Sequence, residues 1–335
     1  MARILGLWNQ VMPPLSGRIN GPHAAQQAAI GRRSLVRLIS RAATAMLLAA
    51  VGGATVLGSR SFQDDLIGEV GVIMTRDDTT LLDVARDNDL GFLELMAANR
   101  GLNPWVPGIG TPIILPSAHV LPDAPRKGIV INLAALRLFY FPPDGAPIRT
   151  YPIGIGVEGA TTPLGKTFIL RKEANPTWYP PPSIRAERPY LPPAVPPGPD
   201  NPLGDFALHL AWPGYLIHGT NRPWGVGRRV SHGCIRLYPE DIAKLFPAVK
   251  VGTTVTVVDQ MVALGWRDGQ LYLEIHPTKP QFDELEETGQ FTAENIPGLD
   301  EQIIEKAGAE AGRLDWMSIR RLERERLGYP VQITD

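Results

Sequence analysis

Turn formers interrupt this chain more often than is usual. It holds 33 Pro and 34 Gly in 335 residues. Proline removes a backbone donor, and glycine weakens the interiors of helices and strands. The expectation is a strand-rich structure with long ordered loops. The apolar fraction of 44% against 20% charged residues suffices to bury a core, which excludes a wholly disordered chain. The length suits two or three domains. Only one apolar run is long enough to be weighed as a membrane span, which excludes a polytopic membrane protein. The single cysteine, Cys234, excludes an intrachain disulfide and any multi-cysteine zinc or iron–sulfur site.

The net charge of −1 conceals an asymmetry. Residues 1–59 carry six Arg and no Asp or Glu, leaving 27 basic against 34 acidic residues in the remainder. An acidic body argues against nucleic acid as a partner. Residues 42–57 (AATAMLLAAVGGATVL) form a charge-free run behind the Arg cluster. At 16 residues it is short for a span and suits the apolar region of an export signal; an uncleaved anchor helix is the alternative. Residues 1–58 are therefore read as leader and export signal, with the body in the periplasm or cell envelope.

Residues 68–116 alternate in period. A strand-like VGVIM at 70–74 precedes capping residues 77–80, helical segments at 81–85 and 92–98, and a closing strand at 111–115. Asp83-Val84-Ala85, Leu93, Met96-Ala97-Ala98-Asn99 and Pro112-Ile113-Ile114-Leu115-Pro116 resemble a LysM module, a small α+β glycan-binding unit; a packing domain that binds nothing is the other reading. Residues 116–126 read as a linker. Residues 260–335 read as a hairpin with an Asp268-Gly269 turn, a solvated acidic run at 284–287, and helices over 299–311 and 314–327.

Residues 127–259 show the strand alternation of a mainly β domain, with one helix over 239–246. Strands are expected at 129–133, 136–141, 148–155, 168–171, 207–210, 215–218 and 254–258. Residues 176–202 interrupt this with 11 prolines. A connection this long is either a functional wall over a groove, with Trp178, Tyr179 and Tyr190 to pack it, or a disordered insert. His209 sits on an expected strand as a core or rim residue.

Chemistry concentrates in His218-Gly219-Thr220 and Ser231-His232-Gly233-Cys234-Ile235-Arg236-Leu237. A cysteine attacks as thiolate, so it needs a neighbour that lowers its pKa or removes its proton. Imidazole serves near neutral pH. Pro223, Gly225 and Gly227 allow the intervening loop to turn back. Backbone N–H groups around Gly233 are suited to face an oxyanion. His218, His232 and Cys234 offer only three metal ligands at no standard spacing, so no metal is expected.

These two segments closely resemble the active-site signature of L,D-transpeptidases with a YkuD-type catalytic domain. Thr162-Pro163-Leu164-Gly165 and Asn201-Pro202-Leu203-Gly204 support the match, and the layout resembles the ErfK/YbiS/YcfS/YnhG branch. The resemblance implies a YkuD-like β-sandwich and a cysteine-dependent acyl transfer without cofactor. It implies Cys234 as nucleophile, His218 as base, and the Gly219 carbonyl as orienter of the imidazole. His232, Gly233 and Cys234 would supply oxyanion or positioning groups. Thr220 and Ser231 would shape the site, Ser231 by fixing the loop. Arg236 fits either a substrate-carboxylate contact or a structural ion pair. The implied partners are peptidoglycan stem peptides and glycan. The acceptor is an amine of another stem, an amine of an envelope protein, or water. A non-catalytic wall-binding protein is the competing reading.

Overall fold

The computed structural model describes residues 64–76, 78–157 and 161–335. The export-signal reading of residues 1–58 lies outside them. Among the described residues, no helix is long and apolar enough to cross a membrane.

The first stretch runs β1 (Leu66–Ile67), β2 (Gly71–Met74), α1 (Leu81–Asp87), α2 (Phe92–Ala98), β3 (Pro112–Leu115) and β4 (His119–Val120). Strands β5 (Gly128–Asn132), β6 (Arg137–Phe141), β7 (Arg149–Pro152), β8 (Ile155–Gly156) and β9 (Gly165–Ala174) lead to a short helix, α3 (Pro182–Glu187). Then come β10 (Phe206–Leu210), β11 (Leu216–His218), β12 (Arg229–Ser231), β13 (Ile235–Arg236), α4 (Pro239–Ala248) and β14 (Thr254–Val258). The last part holds β15 (Val262–Arg267), β16 (Gln270–Ile275), α5 (Lys279–Thr288), α6 (Leu299–Ala307), α7 (Trp316–Glu325) and β17 (Val331–Gln332).

An eight-stranded mixed sheet dominates, in the order β13-β11-β10-β9-β14-β5-β6-β7. Its curl follows from β9. Residues Gly165 to Phe168 pair with β14, whereas Ile169 to Ala174 pair with β10, so one ten-residue strand serves two halves. A second, two-stranded sheet joins β8 to β12 in parallel. The run 148–155 is thus not one strand. Pro152 and Gly154 break it, and its two pieces join different partners.

The described residues form one compact unit. The strand–helix–helix–strand segment shares its core with the large sheet: Leu81, Phe92, Leu95 and Ile113 belong to the same apolar cluster as Ile129, Leu138, Ile217 and Ile235. Thr80 caps α1 by accepting from Asp83 N, and Glu94 closes the cap of α2 by accepting from Gly91 N. Every residue of α2 is buried, Glu94 included. A helix buried on every side belongs inside a core rather than on a surface, and its one carboxylate is met there by Arg137.

Two expectations need correction. Residues 116–126 do not run free as a linker, because Ala118, His119, Val120 and Leu121 are all buried and β4 pairs with β1. The acidic run 284–287 is not simply solvated either. It lies in α5, where Leu285 enters the main core and Glu286 pairs with Arg228. The terminal hairpin β15–β16, with β17, α6 and α7, builds a separate apolar cluster around Leu271, Ile303 and Ile319. The hairpin turn uses Asp268 and Gly269 at φ 51° and 76°, the left-handed pair such a turn requires.

Candidate active site

Strand register sets Cys234 and His218 on one face of adjacent strands. β11 and β13 run parallel, with Ile217 opposite Ile235 and His218 opposite Arg236. Alternation then puts Leu216, His218, Cys234 and Arg236 on one face, while Ile217 and Ile235 point into the core. β13 ends the large sheet, and its outer edge is closed by Gly154, whose N–H and carbonyl exchange hydrogen bonds with the Arg236 backbone at 2.9 Å each.

The His218 ring is buried, and its Nδ1 lies 2.6 Å from the Gly219 carbonyl. A carbonyl only accepts, so Nδ1 carries the proton and Nε2 keeps a free lone pair. Burial first, then the charge of Arg236, depress the His218 pKa to about 3. The ring is therefore neutral at ordinary pH. Burial raises the Cys234 thiol above its usual value, opposed by the Leu216 backbone and by Arg236. Its Sγ also lies 3.6 Å from the Gly214 carbonyl. Histidine and cysteine thus rest as neutral base and neutral thiol.

The loop before the cysteine is tied to itself. Ser231 Oγ donates to the Cys234 carbonyl at 2.6 Å and accepts from Gly233 N at 3.2 Å. Gly233 takes φ 100°, a conformation that a side chain would strain. Its N–H is engaged by Ser231, which leaves it turned to the loop rather than to an oxyanion. His232 is exposed, and its Nε2 lies 3.3 Å from Glu187 of α3. Thr220 is buried and accepts from Arg222 N, shaping the turn after β11. Arg236 is half-buried, its Nε is enclosed, and no hydrogen-bond partner for that atom exists among the described residues. Arg222 and Arg188 stand near enough for their charge to bear on it.

The family description L,D-transpeptidase catalytic domain (YkuD) matches residues 126–257. Probable L,D-transpeptidase YcfS of Escherichia coli K12 is 43% identical over 222 residues, covering 63% of this chain and 69% of its own length. The probable L,D-transpeptidase ErfK/SrfK of the same strain is 37% identical over 278 residues, 80% of this chain and 87% of that one. Its YbiS is 42% identical over 231 residues, covering 65% and 75%. The chain belongs to the L,D-transpeptidase family.

Within this L,D-transpeptidase, two residues contribute to the site in ways the sequence did not spell out. Thr162 is buried and donates through Oγ1 to the Gly233 carbonyl at 2.8 Å, bracing the cysteine loop from the far side. Gly204, at φ 65°, lets its turn approach Thr220; an added Cβ would meet Thr220 N at 2.8 Å. Both belong to motifs visible in the sequence, but only the contacts give them roles.

The proline-rich stretch is built, and its neck is closed by one side chain. Asn201 is fully buried, and its Nδ2 donates to the carbonyls of Pro176, Val195 and Pro196. Prolines supply carbonyls without matching donors, so a buried amide group satisfies the surplus. Tyr179 and Tyr190 do not pack as expected; they stand 70% and 80% exposed. His209 lies at the rim in an ion cluster with Glu173 and Arg171. Among the described residues, no group of three or more His, Cys, Asp or Glu is placed to hold a metal ion.

Proposed function

We propose that this L,D-transpeptidase acts outside the cytoplasmic membrane on peptidoglycan stem peptides, with Cys234 as nucleophile and His218 as its base. The observation that carries this reading is the pairing of β11 with β13, which sets His218 and Cys234 on one face, with the His218 ring held through Nδ1–H on the Gly219 carbonyl. In acylation, the thiol proton passes to Nε2 as Sγ attacks the carbonyl of the third stem residue. A C–S bond forms, the C–N bond to the terminal D-alanine breaks, and the proton leaves on the D-alanine amine. An acceptor amine then attacks the thioester, its proton returns through His218, and the thiol is restored. The Cys234 N–H is suited to the oxyanion, since Gly233 N–H is engaged.

With the amine of a second stem the product is a 3–3 cross-link; with a lysine of an envelope protein it is an anchored protein. Export rests on the Arg-flanked apolar run at 42–57. A LysM-like glycan contact at residues 68–116 is supported by side chains exposed beside β2 and in the loop before β3, namely Val72, Met74, Trp105, Val106 and Ile109. Intact-protein mass spectrometry with a carbapenem tests the core of this reading. A stable adduct on Cys234 is expected, and a folded protein that forms none would overturn the catalytic assignment. Product analysis with and without added amine separates transfer from hydrolysis.

A further inference from the structure

The segment that carries Cys234 is anchored on a helix far from it in sequence. Gly227 takes φ 72°, and its backbone lies against the start of α2. A Cβ on Gly227 would collide with the Gly91 Cα and the Phe92 nitrogen, and one on Gly91 would meet the Gly227 Cα at 2.9 Å. Only two glycines let the backbones approach this closely. Leu93 N donates to the Gly227 carbonyl at 3.2 Å, and Gly227 N donates to the Ile153 carbonyl at 3.1 Å.

The next two side chains fasten this junction. Arg228 is buried, and its guanidinium lies 4.2 Å from the centre of the Phe92 ring. Its Nε meets Glu286 of α5 at 3.2 Å, and its Nη1 reaches back to the Trp224 carbonyl at 3.4 Å. Phe92 is 1% exposed, and a cation over an aromatic face holds more firmly out of water than in it. Arg229 ties to α5 at a second place, through Nη1 to the Lys279 carbonyl at 2.8 Å and to Asp283 at 2.7 Å. From there β12 pairs with β8 and ends at Ser231, whose Oγ holds the Cys234 carbonyl three residues on. A continuous line of contacts thus runs from α2 and α5 to the nucleophile.

We propose that Arg228 and Phe92 are positioning residues for acylation: α2 and α5 grip the start of β12 between them and so set where Cys234 stands relative to His218. The proposal rests on the acyl-transfer reading above. It goes beyond that reading by making the strand–helix–helix–strand segment part of what places the nucleophile. A reacting atom has to be held closely, and a shift of about 1 Å from a change far from the chemistry lowers a rate by up to about a hundredfold. Neither residue moves a proton or touches the donor; both act through the chain that ends at Cys234.

The test uses the whole protein and a synthetic tetrapeptide donor, with rates referred to sites counted by complete iodoacetamide alkylation. Arg228→Met keeps the length and apolar bulk of the side chain without its charge, and Phe92→Leu keeps an apolar filling without a ring face. Arg228→Met should lower kcat about tenfold with KM within about twofold of the wild type, and Arg228→Lys should recover part of that loss. Phe92→Leu should lower kcat about threefold, and the double variant should be about as slow as Arg228→Met alone, because both changes break one contact. Amide hydrogen exchange over residues 229–234 should quicken in the same variants, while that of the hairpin β15–β16 stays as in the wild type. If Arg228→Met does not fold, Phe92→Leu and Arg228→Lys carry the same test. A kcat per site within twofold of the wild type, losses that multiply in the double variant, or a slower enzyme with unchanged exchange over 229–234 each overturn the proposal. A wild type that does not turn over the donor overturns the acyl-transfer reading, and this proposal with it.

Discussion

Two arginines sit near opposite borders of the same curled sheet, and the chain treats them differently. Arg137, on β6, is 1% exposed and fully met: Nη2 and Nε reach Glu94 of α2 at 2.6 and 3.2 Å, and Nη2 also reaches the Asp89 carbonyl. Around that pair lie His119 on β4, Glu274 on β16 and His276 just after it, all buried. Arg236, on β13, has no such set among the described residues. The comparison teaches what a buried charge is for. The Arg137 network joins four segments distant in sequence, so its charges hold the unit together. Arg236 stands beside the reactive thiol, and among the described residues no carboxylate forms an ion pair with it. Its electrostatics act on Cys234 and His218 instead, favouring the thiolate and disfavouring the imidazolium.

The sharpest way to separate the two regions is to remove the nucleophile. Cys234→Ala should abolish carbapenem adduct formation and turnover completely, while leaving the unfolding midpoint in urea unchanged. Its thiol meets only backbone groups, the Gly214 carbonyl at 3.6 Å and the Leu216 backbone, so removing one sulfur loses little packing. A large drop in stability would show that the cysteine is built into the fold as Arg137 is.

The next largest effect belongs to the network. Arg137→Ala leaves Glu94 buried without its cation, and breaking a buried pair from one side costs about 3–5 kcal/mol. Urea unfolding should show that loss, and the folded fraction should still alkylate at Cys234. Low pH should weaken the same region. Glu274 is held at about 2 by its hydrogen bonds to His119 and His276, against strong desolvation. A carboxyl depressed in the folded state contributes stability above its unfolded pKa and loses it as the pH falls toward 2. Stability that rises on acidification from pH 5 to 3 would contradict this assignment.

The network was also the part least legible in the sequence. Alternation located β5, β6, β14 and the hairpin β15–β16 to within a residue or two, because those signals are local. The motif around Cys234 and His218 was equally local and equally clear. Nothing local marks Glu94 as a partner of Arg137, 43 residues away, or of His119, which also faces Glu274. Helix α5 did carry a readable signal: Thr278 and Gln281 form a capping box, with Pro280 in the first turn. The acidic composition of 284–287 masked it, although Leu285 is the residue that enters the core. The role of Thr162 was hidden because its partner, the Gly233 carbonyl, lies 71 residues on.

A smaller effect tests the resting charge state of the active site. Because the thiol is raised and His218 stays neutral down to about pH 3, no thiolate–imidazolium pair forms near neutrality. Iodoacetamide alkylation of Cys234 should therefore speed up about tenfold per pH unit from 6 to 9, without a step near 6.5. A rate already flat by pH 7 would mean that the thiolate is present at rest. His218→Ala should keep the same alkylation slope yet slow donor acylation by on the order of a hundredfold or more, since only the latter needs the proton carried to the leaving amine.

The smallest expected change is the one that bears most directly on the comparison. Arg236→Gln removes a partly buried cation that has no anion of its own among the described residues, and with it the repulsion from Arg222 and Arg188. Its urea midpoint should stay within about 1 kcal/mol of the wild type, and on the stabilised side if anything, because the desolvation cost disappears with the charge. Removing Arg137 and removing Arg236 would then differ by several kcal/mol although both are arginines on one sheet. A loss at Arg236 as large as that at Arg137 would erase the distinction and make the guanidinium beside Cys234 a structural brace, whatever the substrate carries at its end.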